Sequence, residues 1–269
     1  MSKVIFITGA SSGLGKAMAS YLISKNYIVY GTSRNPEKVK DVDFPLIKMD
    51  VNDEASIRDG VSELLSKTKR IDVLINNAGI GITGPMEEIP IAEMEKSFST
   101  NFYGPLRVTK AVLPTMRAQK SGLIINITSI AGYMGLPYRG IYSATKAALE
   151  IAMEAMRMEV APFNIKMTNV APGDFATNIT ERRYHAPVLD DSPYKHSYQM
   201  SLELMNQHVH SGENPKKLAV EIFKIINTEN PKVHYKVGSF TQKFSIVLKK
   251  IVPDKTYEKM LKKHFKLDK

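Results

Sequence analysis

The sequence contains no cysteine, which excludes disulfide bonds, cysteine metal sites and thiol catalysis. Long hydrophobic runs are also missing: apolar stretches such as residues 4–7 are far shorter than the roughly 20 residues of a membrane-spanning helix. The first residues form a strand pattern and lack the apolar core and cleavage site of a signal peptide, so we expect a cytoplasmic protein. No linker rich in proline, glycine or serine divides the 269 residues, which predicts a single domain over residues 1–269.

The net charge of +10 is concentrated near the C-terminus. Between Lys243 and Lys269 there are nine lysines and three acidic residues, so this segment carries +6 and the rest of the chain carries +4. We call residues 238–269 the basic C-terminal extension. Its apolar residues fit amphipathic helices broken near Pro253, and such helices must lie on something apolar. We expect them to cover the protein's own substrate-side surface or its candidate lid. A partner subunit and an anionic membrane surface are the alternatives, and no nucleic-acid partner is expected.

Apolar, β-branched runs alternate with stretches of helical period along most of the chain. This pattern predicts an α/β fold: a doubly wound, parallel, seven-stranded sheet with helices on both faces. The predicted strands are residues 4–8, 28–32, 46–49, 73–76, 123–128, 166–170 and 233–237. Asn214 and Pro215 predict the cap and first turn of a late helix that carries Val220, Phe223 and Ile226.

The alternation lapses between Thr177 and Ser211, in a segment rich in Tyr, His, Met and Pro. Segments of this length in compact domains are usually lids or binding loops, so residues 177–211 are a candidate substrate lid. The residues that could line an apolar pocket there are Tyr184, Tyr194, Tyr198, Met200, Leu202, Leu204 and Met205. A helix packed on the core would explain the same residues equally well.

A glycine-rich turn follows the first predicted strand and begins the first predicted helix. It contains Gly9, Gly13 and Gly15, with Ser11, Ser12 and Leu14 between them. Bare backbone and the free N–H groups of a helix N-terminus can bind a pyrophosphate at such a turn. The spacing is Gly-x-x-x-Gly-x-Gly rather than the general Gly-x-Gly-x-x-Gly fingerprint.

An acidic residue is missing after the second strand, where a NAD site places one for the ribose 2′-hydroxyl. The chain reads Thr32-Ser33-Arg34-Asn35 at this point. Arg34 can bind a 2′-phosphate with its guanidinium fork, with Thr32 or Ser33 supplying a hydroxyl. The sequence therefore predicts NADP(H) as the cofactor. A surface arginine without a ligand is the alternative.

A tyrosine and a lysine, Tyr142 and Lys146, lie four residues apart, thirteen residues after Ser129. On a helix this spacing puts the phenol and the ammonium on one face. A fixed cation near a phenol favours the phenolate, so Tyr142 could exchange protons at neutral pH. By itself the pair could equally be a chance helical spacing.

Taken in order, these motifs resemble the short-chain dehydrogenase/reductase family, specifically its compact single-domain subgroup. The residues that carry the resemblance are Thr8 to Gly15, Asp50-Val51, Asn76-Asn77-Ala78-Gly79, Asn101, Ser129, Tyr142 with Lys146, and Pro172-Gly173 followed by Thr177. The resemblance implies that Asp50 and Val51 hold the adenine, and that Asn77, Ala78 and Gly79 pass beneath the adenosine ribose. It also implies that the segment from Pro172 to Thr177 binds the nicotinamide carboxamide, through Gly173, the Phe175 backbone and the Thr177 hydroxyl.

The resemblance also implies a reaction, the transfer of a hydride between nicotinamide C4 and a carbonyl or alcohol carbon. Tyr142 would exchange the proton with the substrate oxygen, and Ser129 would donate a hydrogen bond to the same oxygen. Lys146 would stabilise the phenolate and bind the nicotinamide ribose. Asn101 would keep a water beside Lys146 for proton relay.

We expect an NADP(H)-dependent oxidoreductase acting on an apolar carbonyl or alcohol substrate, with a weak likeness to the retinol and 17-beta-hydroxysteroid dehydrogenase branch. A 3-oxoacyl reductase and a nucleotide-sensing regulator on a dehydrogenase scaffold are the alternatives. The family implies a homodimer or homotetramer, commonly through the helices after strands four and five. No metal site is predicted, because His208 and His210 lack a nearby set of carboxylates.

Overall fold

The computed structural model describes residues 2–177 and 183–267, without the side chains of His208 and His210. Seven parallel strands form its main sheet, in the order β3-β2-β1-β4-β6-β7-β9. Their bounds are β1 Val4–Ile7, β2 Ile28–Ser33, β3 Leu46–Lys48, β4 Val73–Asn76, β6 Gly122–Ile127, β7 Ile165–Pro172 and β9 His234–Val237. All seven predicted strands are confirmed, with each end within two residues of its prediction.

The order of the strands reverses between β1 and β4, which are neighbours in the sheet but not in the chain. Both strands are buried along their whole length, so apolar residues occupy both faces instead of alternating with polar ones. In such folds a crevice opens beyond the carboxyl ends of the strands at the reversal. The fold therefore brings the residues after Ile7 and Asn76 to one edge of the sheet.

Helices cover both faces of the sheet. Their bounds are α1 Gly13–Ile23, α2 Glu54–Thr68, α3 Ile91–Phe98, α4 Gly104–Gln119, α5 Gly140–Val160, α6 Lys195–His210, α7 Pro215–Ile226, α8 Phe240–Ile251 and α9 Asp254–His264. One apolar core lies between the sheet and helices α1 and α7, and a second lies between the sheet and helices α2, α4 and α5. Helix α7 begins at the predicted cap, where the Asn214 side chain accepts a hydrogen bond from the backbone of Lys216 at 2.9 Å.

Residues 178–182 of the candidate lid lie outside the described residues, and residues 183–211 contain regular structure. A two-residue strand β8, Tyr184–His185, pairs with β5, Ile82–Thr83, and helix α6 follows it. Tyr198 and Met205 of α6 are buried, and the Tyr198 hydroxyl donates to the backbone oxygen of Thr83 at 3.1 Å. Burial raises the pKa of Tyr198 to about 12, so this hydroxyl remains a donor at neutral pH. The alternative of a helix packed on the core is therefore the better description of this stripe.

The basic C-terminal extension packs against the protein itself, as the sequence analysis favoured. Ile246 of α8 and Tyr257 of α9 form an apolar cluster with Ile130, Met134 and Ala171. The outer face of α8 is different. It leaves a row of apolar side chains exposed to solvent: Phe240, Phe244, Val247 and Ile251. Within the described residues, no helix is both long enough and apolar enough to cross a membrane.

Two neighbouring residues of α8 test whether this packing stabilises the protein. Ile246 is 2% exposed and Val247 is 48% exposed. We expect Ile246→Ala to lower the free energy of unfolding by about 2–5 kcal/mol, because it leaves a cavity under the extension. The control Val247→Ala should change it by less than about 0.5 kcal/mol. Equal, small effects in denaturant titrations would mean that the extension does not stabilise the fold.

Candidate active site

The crevice at the carboxyl edge of the sheet is a cleft of about 890 Å³. Of the predicted site residues, the cleft is lined by Gly9, Ser11, Ser12, Gly13, Leu14, Ser33, Arg34, Asp50, Val51, Asn77, Ala78, Gly79, Ser129, Tyr142, Lys146, Pro172, Gly173, Phe175 and Thr177. Gly15 and Asn101 do not line it and lie behind its wall. We name the two ends of the cleft the Arg34 end and the Tyr142 end.

The glycine-rich turn has the geometry that its sequence requires. Gly9 and Gly13 have φ angles of +66° and +56°, in the left-handed region that favours glycine. Gly15 has a packing role, because a Cβ there would lie 2.6 Å from the side-chain nitrogen of Asn77. Gly15 thus lets helix α1 approach the end of β4, and its contact with the cofactor stays a prediction.

Asn77 joins the ends of β1 and β4. Its side-chain nitrogen donates to the backbone oxygens of Thr8 and Gly9 at 2.9 and 3.0 Å. The Thr8 hydroxyl accepts from the backbone nitrogens of Asn77 and Ala78, both at 2.9 Å. These bonds hold the glycine-rich turn against the next strand, so both present backbone to the same part of the cleft.

The Arg34 end of the cleft is strongly basic. Arg34 is exposed, and no described residue forms an ion pair with it. Lys38 and Lys40 line the cleft beside it, and the sequence analysis did not single them out. Thr32 and Ser33 both line the cleft, and Thr32 is buried with its hydroxyl accepting from the Gly9 backbone at 3.1 Å. Ser33 is the more exposed of the two, so a phosphate contact stays a prediction with Ser33 as the better-placed hydroxyl.

Ser129, Tyr142 and Lys146 meet at the opposite end. Ser129 follows β6, and its Oγ accepts from the Ala131 backbone at 3.1 Å, which leaves its O–H free to donate. The Lys146 Nζ is 5.9 Å from the centre of the Tyr142 ring and donates to the Ile127 backbone oxygen at 3.0 Å. Lys146 is only 5% exposed, so this bond to the end of β6 fixes the cation in place.

Asn101 lies in a π-helical turn, Ser99–Tyr103, between α3 and α4. It is fully buried. Its Oδ1 accepts from the Ile80 backbone at 2.8 Å, and its Nδ2 donates to the Ile80 backbone oxygen at 2.9 Å. Its Nδ2 also reaches the Thr145 hydroxyl at 3.2 Å, one residue before Lys146. Asn101 therefore connects the loop after β4 to the helix that carries Tyr142 and Lys146.

A hydrogen-bond network centred on the buried Glu150 lies behind Ser129. Glu150 accepts from the hydroxyl of Thr128 and from the Asn169 side chain at 3.1 Å. The two ring nitrogens of His234 lie 2.7 Å from Glu150 and 3.0 Å from Glu154. Burial and the nearby Glu150 raise the pKa of Tyr133, whose hydroxyl lies beside the same ring. Among the described residues, Glu150, Glu154 and His234 are close enough to one another to hold a metal ion.

The loop after β7 is held by the C-terminal extension. Gln242 of α8 contacts Gly173 so closely that a Cβ at Gly173 would overlap its side-chain oxygen. The Gln242 Nε2 donates to Asp174 at 2.7 Å, and its Oε1 accepts from the Ser239 backbone at 3.2 Å. The extension thus fixes the segment that begins at Pro172, an influence that local sequence motifs could not predict.

Two arginines at the Tyr142 end were also missed by the sequence analysis. Arg139 and Arg183 line the cleft with Tyr142. Arg139 could have been noticed from its place three residues before Tyr142. Arg183 lies far along the chain and reaches the cleft only because β8 pairs with β5.

The family model for short chain dehydrogenases matches residues 3–187. The chain therefore belongs to this family, and the resemblance stated from its motifs is confirmed. It is an oxidoreductase of the type that interconverts CH–OH and C=O groups with a nicotinamide cofactor. The open turn at Gly9 and Gly13 and the size of the cleft both fit such a group.

Particular relatives cover almost the whole chain. The 3-ketodihydrosphingosine reductase of Bacteroides thetaiotaomicron is 42% identical over 254 residues, 94% of each protein. A crystal structure of a short-chain dehydrogenase from Streptomyces avermitilis is 32% identical, with a TM-score of 0.80 over 97% of both chains. ElxO, solved with NADP bound, is 26% identical, with a TM-score of 0.70 over 88% of this chain and 97% of its own.

Proposed function

We propose that this protein is an NADP(H)-dependent reductase of a ketone on a largely apolar substrate. The observation that carries the proposal is one continuous cleft with Ser129, Tyr142 and Lys146 at one end and Arg34 at the other. Reduction is the proposed direction because a relative that is 42% identical is named a reductase of a keto compound. A bound NADPH would supply the hydride at the Tyr142 end.

Tyr142 would donate its proton to the substrate oxygen as the carbonyl is reduced. Ser129 would donate a second hydrogen bond to the same oxygen and hold it in place, because its own Oγ is already oriented by the Ala131 backbone. Lys146 would stabilise the phenolate that Tyr142 leaves behind, 5.9 Å from the ring centre. Asn101 would act as a positioning residue for Lys146 and for the proposed water relay.

The preference for NADP(H) is supported by the charges at the Arg34 end. Arg34, Lys38 and Lys40 line the cleft near the end of the second strand, with Asp41 beside them and Asp50 beyond the neighbouring strand. A 2′-phosphate would satisfy the planar fork of Arg34, whereas a ribose hydroxyl would leave it without an anionic partner. Asp50 and Val51 would hold the adenine, since both line the cleft beyond β3.

A nucleotide-sensing regulator is the alternative from another class of protein. The retention of Tyr142, Lys146 and Ser129 around one cleft argues for catalysis, because a sensor has no need of a proton donor beside the bound nucleotide. A 3-oxoacyl reductase would also reduce a ketone, so this alternative differs from the proposal only in the identity of the substrate.

The test of the function is a panel of ketones and alcohols with each cofactor, followed by nicotinamide absorbance. The panel should include 3-ketodihydrosphingosine, a 3-oxoacyl thioester and unrelated apolar ketones. We expect NADPH-dependent reduction of at least one ketone and little turnover with NADH. Tight NADPH binding without turnover of any member would favour the regulator.

The oligomeric state can be tested on helix α5. Ile151 and Met158 are 69% and 72% exposed and lie on one face of this helix, where a partner subunit would cover them. We expect a dimer or tetramer in sedimentation velocity, and we expect Ile151→Lys to raise the dissociation constant at least about tenfold. Ile91→Lys, at an equally exposed position on α3, is the control. A monomeric wild type would contradict the proposal.

A further inference from the structure

Arg139 and Arg183 form a pair of cations at the Tyr142 end of the cleft. The Cζ atom of Arg139 lies 5.3 Å from the centre of the Tyr142 ring, and the Lys146 Nζ lies 5.9 Å from it, so two cations approach the same ring. The Arg183 side chain packs against Gly81: a Cβ atom added to Gly81 would lie 2.8 Å from the Cγ atom of Arg183. Both arginines therefore border the space in which the substrate oxygen must meet Tyr142.

Neither guanidinium has an anionic partner within the described part of the chain. No ion pair involves Arg139 or Arg183, and one terminal nitrogen of Arg183, Nη1, is buried without any hydrogen bond. Asp174 is the carboxylate near enough to affect Arg183, but it accepts from Gln242 instead. Burial, and then the charge of Arg139, lower the pKa of Arg183, which is the effect of a buried cation close to a like charge.

Two arginines in this arrangement cost stability unless a ligand satisfies them. A buried donor without a partner is unfavourable, and so is the repulsion between two like charges. Helix α5 adds to the positive charge, because Arg139 is its N-cap residue and the first N–H groups of the helix point toward its N-terminus. Across the whole cleft, eight lysines and arginines face three aspartates.

We propose that Arg139 and Arg183 bind an anionic group of the substrate, a carboxylate or a phosphate, near the carbonyl that is reduced. This inference rests on the proposed function and names the substrate class of the same site. The substrate would then be an oxo acid or an oxo phosphate with an apolar remainder. The planar forks of arginine suit both anions, since each can bind two oxygens.

The first test measures binding and does not depend on turnover. Calorimetry on the NADP⁺-loaded protein would compare octanoate with octanol, which share a chain and differ in charge. We expect octanoate to bind at least about tenfold more tightly, and Arg139→Gln or Arg183→Gln to remove about 10- to 100-fold of its affinity. Arg183→Lys retains the positive charge without the guanidinium fork, so it should lose less octanoate affinity than Arg183→Gln. Equal affinity for the two probes would overturn the proposal.

Two controls identify what the arginines bind. Arg58→Gln removes an arginine whose side chain is 71% exposed on α2, and it should leave octanoate affinity unchanged. The NADPH affinity of Arg139→Gln and Arg183→Gln should stay within about threefold of wild type. A loss of NADPH affinity as large as the loss of octanoate affinity would mean that the pair binds the cofactor, and the proposal would fail.

The second test uses turnover of 4-oxodecanoate and of its methyl ester with NADPH. We expect a higher kcat/KM for the acid and a fall of about tenfold or more in the acid-to-ester ratio for each Arg→Gln variant. An ester reduced as well as the acid would refute the anion site and leave the reductase intact. Octanoate binding with no reduction of any ketone would refute the reductase and leave the anion site intact.

Discussion

Tyr142→Phe is expected to lower kcat by at least about 10²- to 10⁴-fold, the range that positioned general acids contribute. The substitution removes the phenolic oxygen and keeps the ring, so NADPH affinity should change little. Stopped-flow or steady-state absorbance at the nicotinamide band would measure kcat, and fluorescence titration would measure the affinity. The two measurements separate loss of chemistry from loss of binding.

Tyr138→Phe is the matched control, because Tyr138 lies four residues earlier and its hydroxyl pairs with Ser197 at 2.7 Å. Tyr138 does not line the cleft, so this variant should lose about 0.5–1.5 kcal/mol of stability and remain within a few-fold of wild-type turnover. If Tyr142→Phe also retained turnover within a few-fold, Tyr142 would not be the proton donor.

Arg34→Asp should erase or reverse the preference for NADPH over NADH. A charge-assisted hydrogen bond to phosphate is worth about 1.5–3 kcal/mol, which is about 10- to 150-fold in affinity. The new carboxylate would repel the 2′-phosphate and could accept from a 2′-hydroxyl. The ratio of kcat/KM for the two cofactors measures the change, because both assays share the same ketone.

Arg58→Asp provides the control for long-range charge effects. It makes the same change of two charge units on an exposed part of α2, outside the cleft. The ratio of kcat/KM with NADPH to kcat/KM with NADH should match that of the wild type, since exposed charges are screened within about 10 Å at ordinary ionic strength. Equal use of the two cofactors by the wild-type protein would contradict the reading of Arg34.

Much of the fold could be predicted because its signals are local. Each buried strand is a short apolar run between turns, so residues 73–76 could be read directly as β4. The helix cap at Asn214 could likewise be predicted from the sequence, because Asn followed by Pro is typical of a helix N-terminus. Of the residues predicted on α7, Ile226 is buried, whereas Phe223 lies at the edge against Tyr21. The other buried residues of this helix, Leu218, Ile222 and Ile225, were not predicted. Several overlapping apolar stripes fit this helix, and tertiary packing selects one.

The parts of the site that could not be predicted depend on contacts between distant segments. Arg183 reaches Tyr142 through strand pairing between β8 and β5, and Gln242 reaches Gly173 through the docking of α8. The close packing of Gly15 is another such contact, because a Cβ there would lie 2.6 Å from the side-chain nitrogen of Asn77, directly after β4. In each case the residue type indicated what contact the residue could make. The residue that it contacts lies far away in the sequence and is identified only by the folded structure.

The π-helical turn at Ser99–Tyr103 has a consequence for how the chain can change in length. A π-helical turn closes with one more residue than an α-helical turn, and one residue corresponds to about 100° around a helix axis. Deleting a residue there would turn α3 by about that angle relative to α4 and move Asn101 away from Ile80. Surface loops generally tolerate insertions and deletions, whereas a single deletion in this segment would rotate one helix against the other. The length of the segment is therefore constrained as tightly as its buried residues, Thr100 and Asn101.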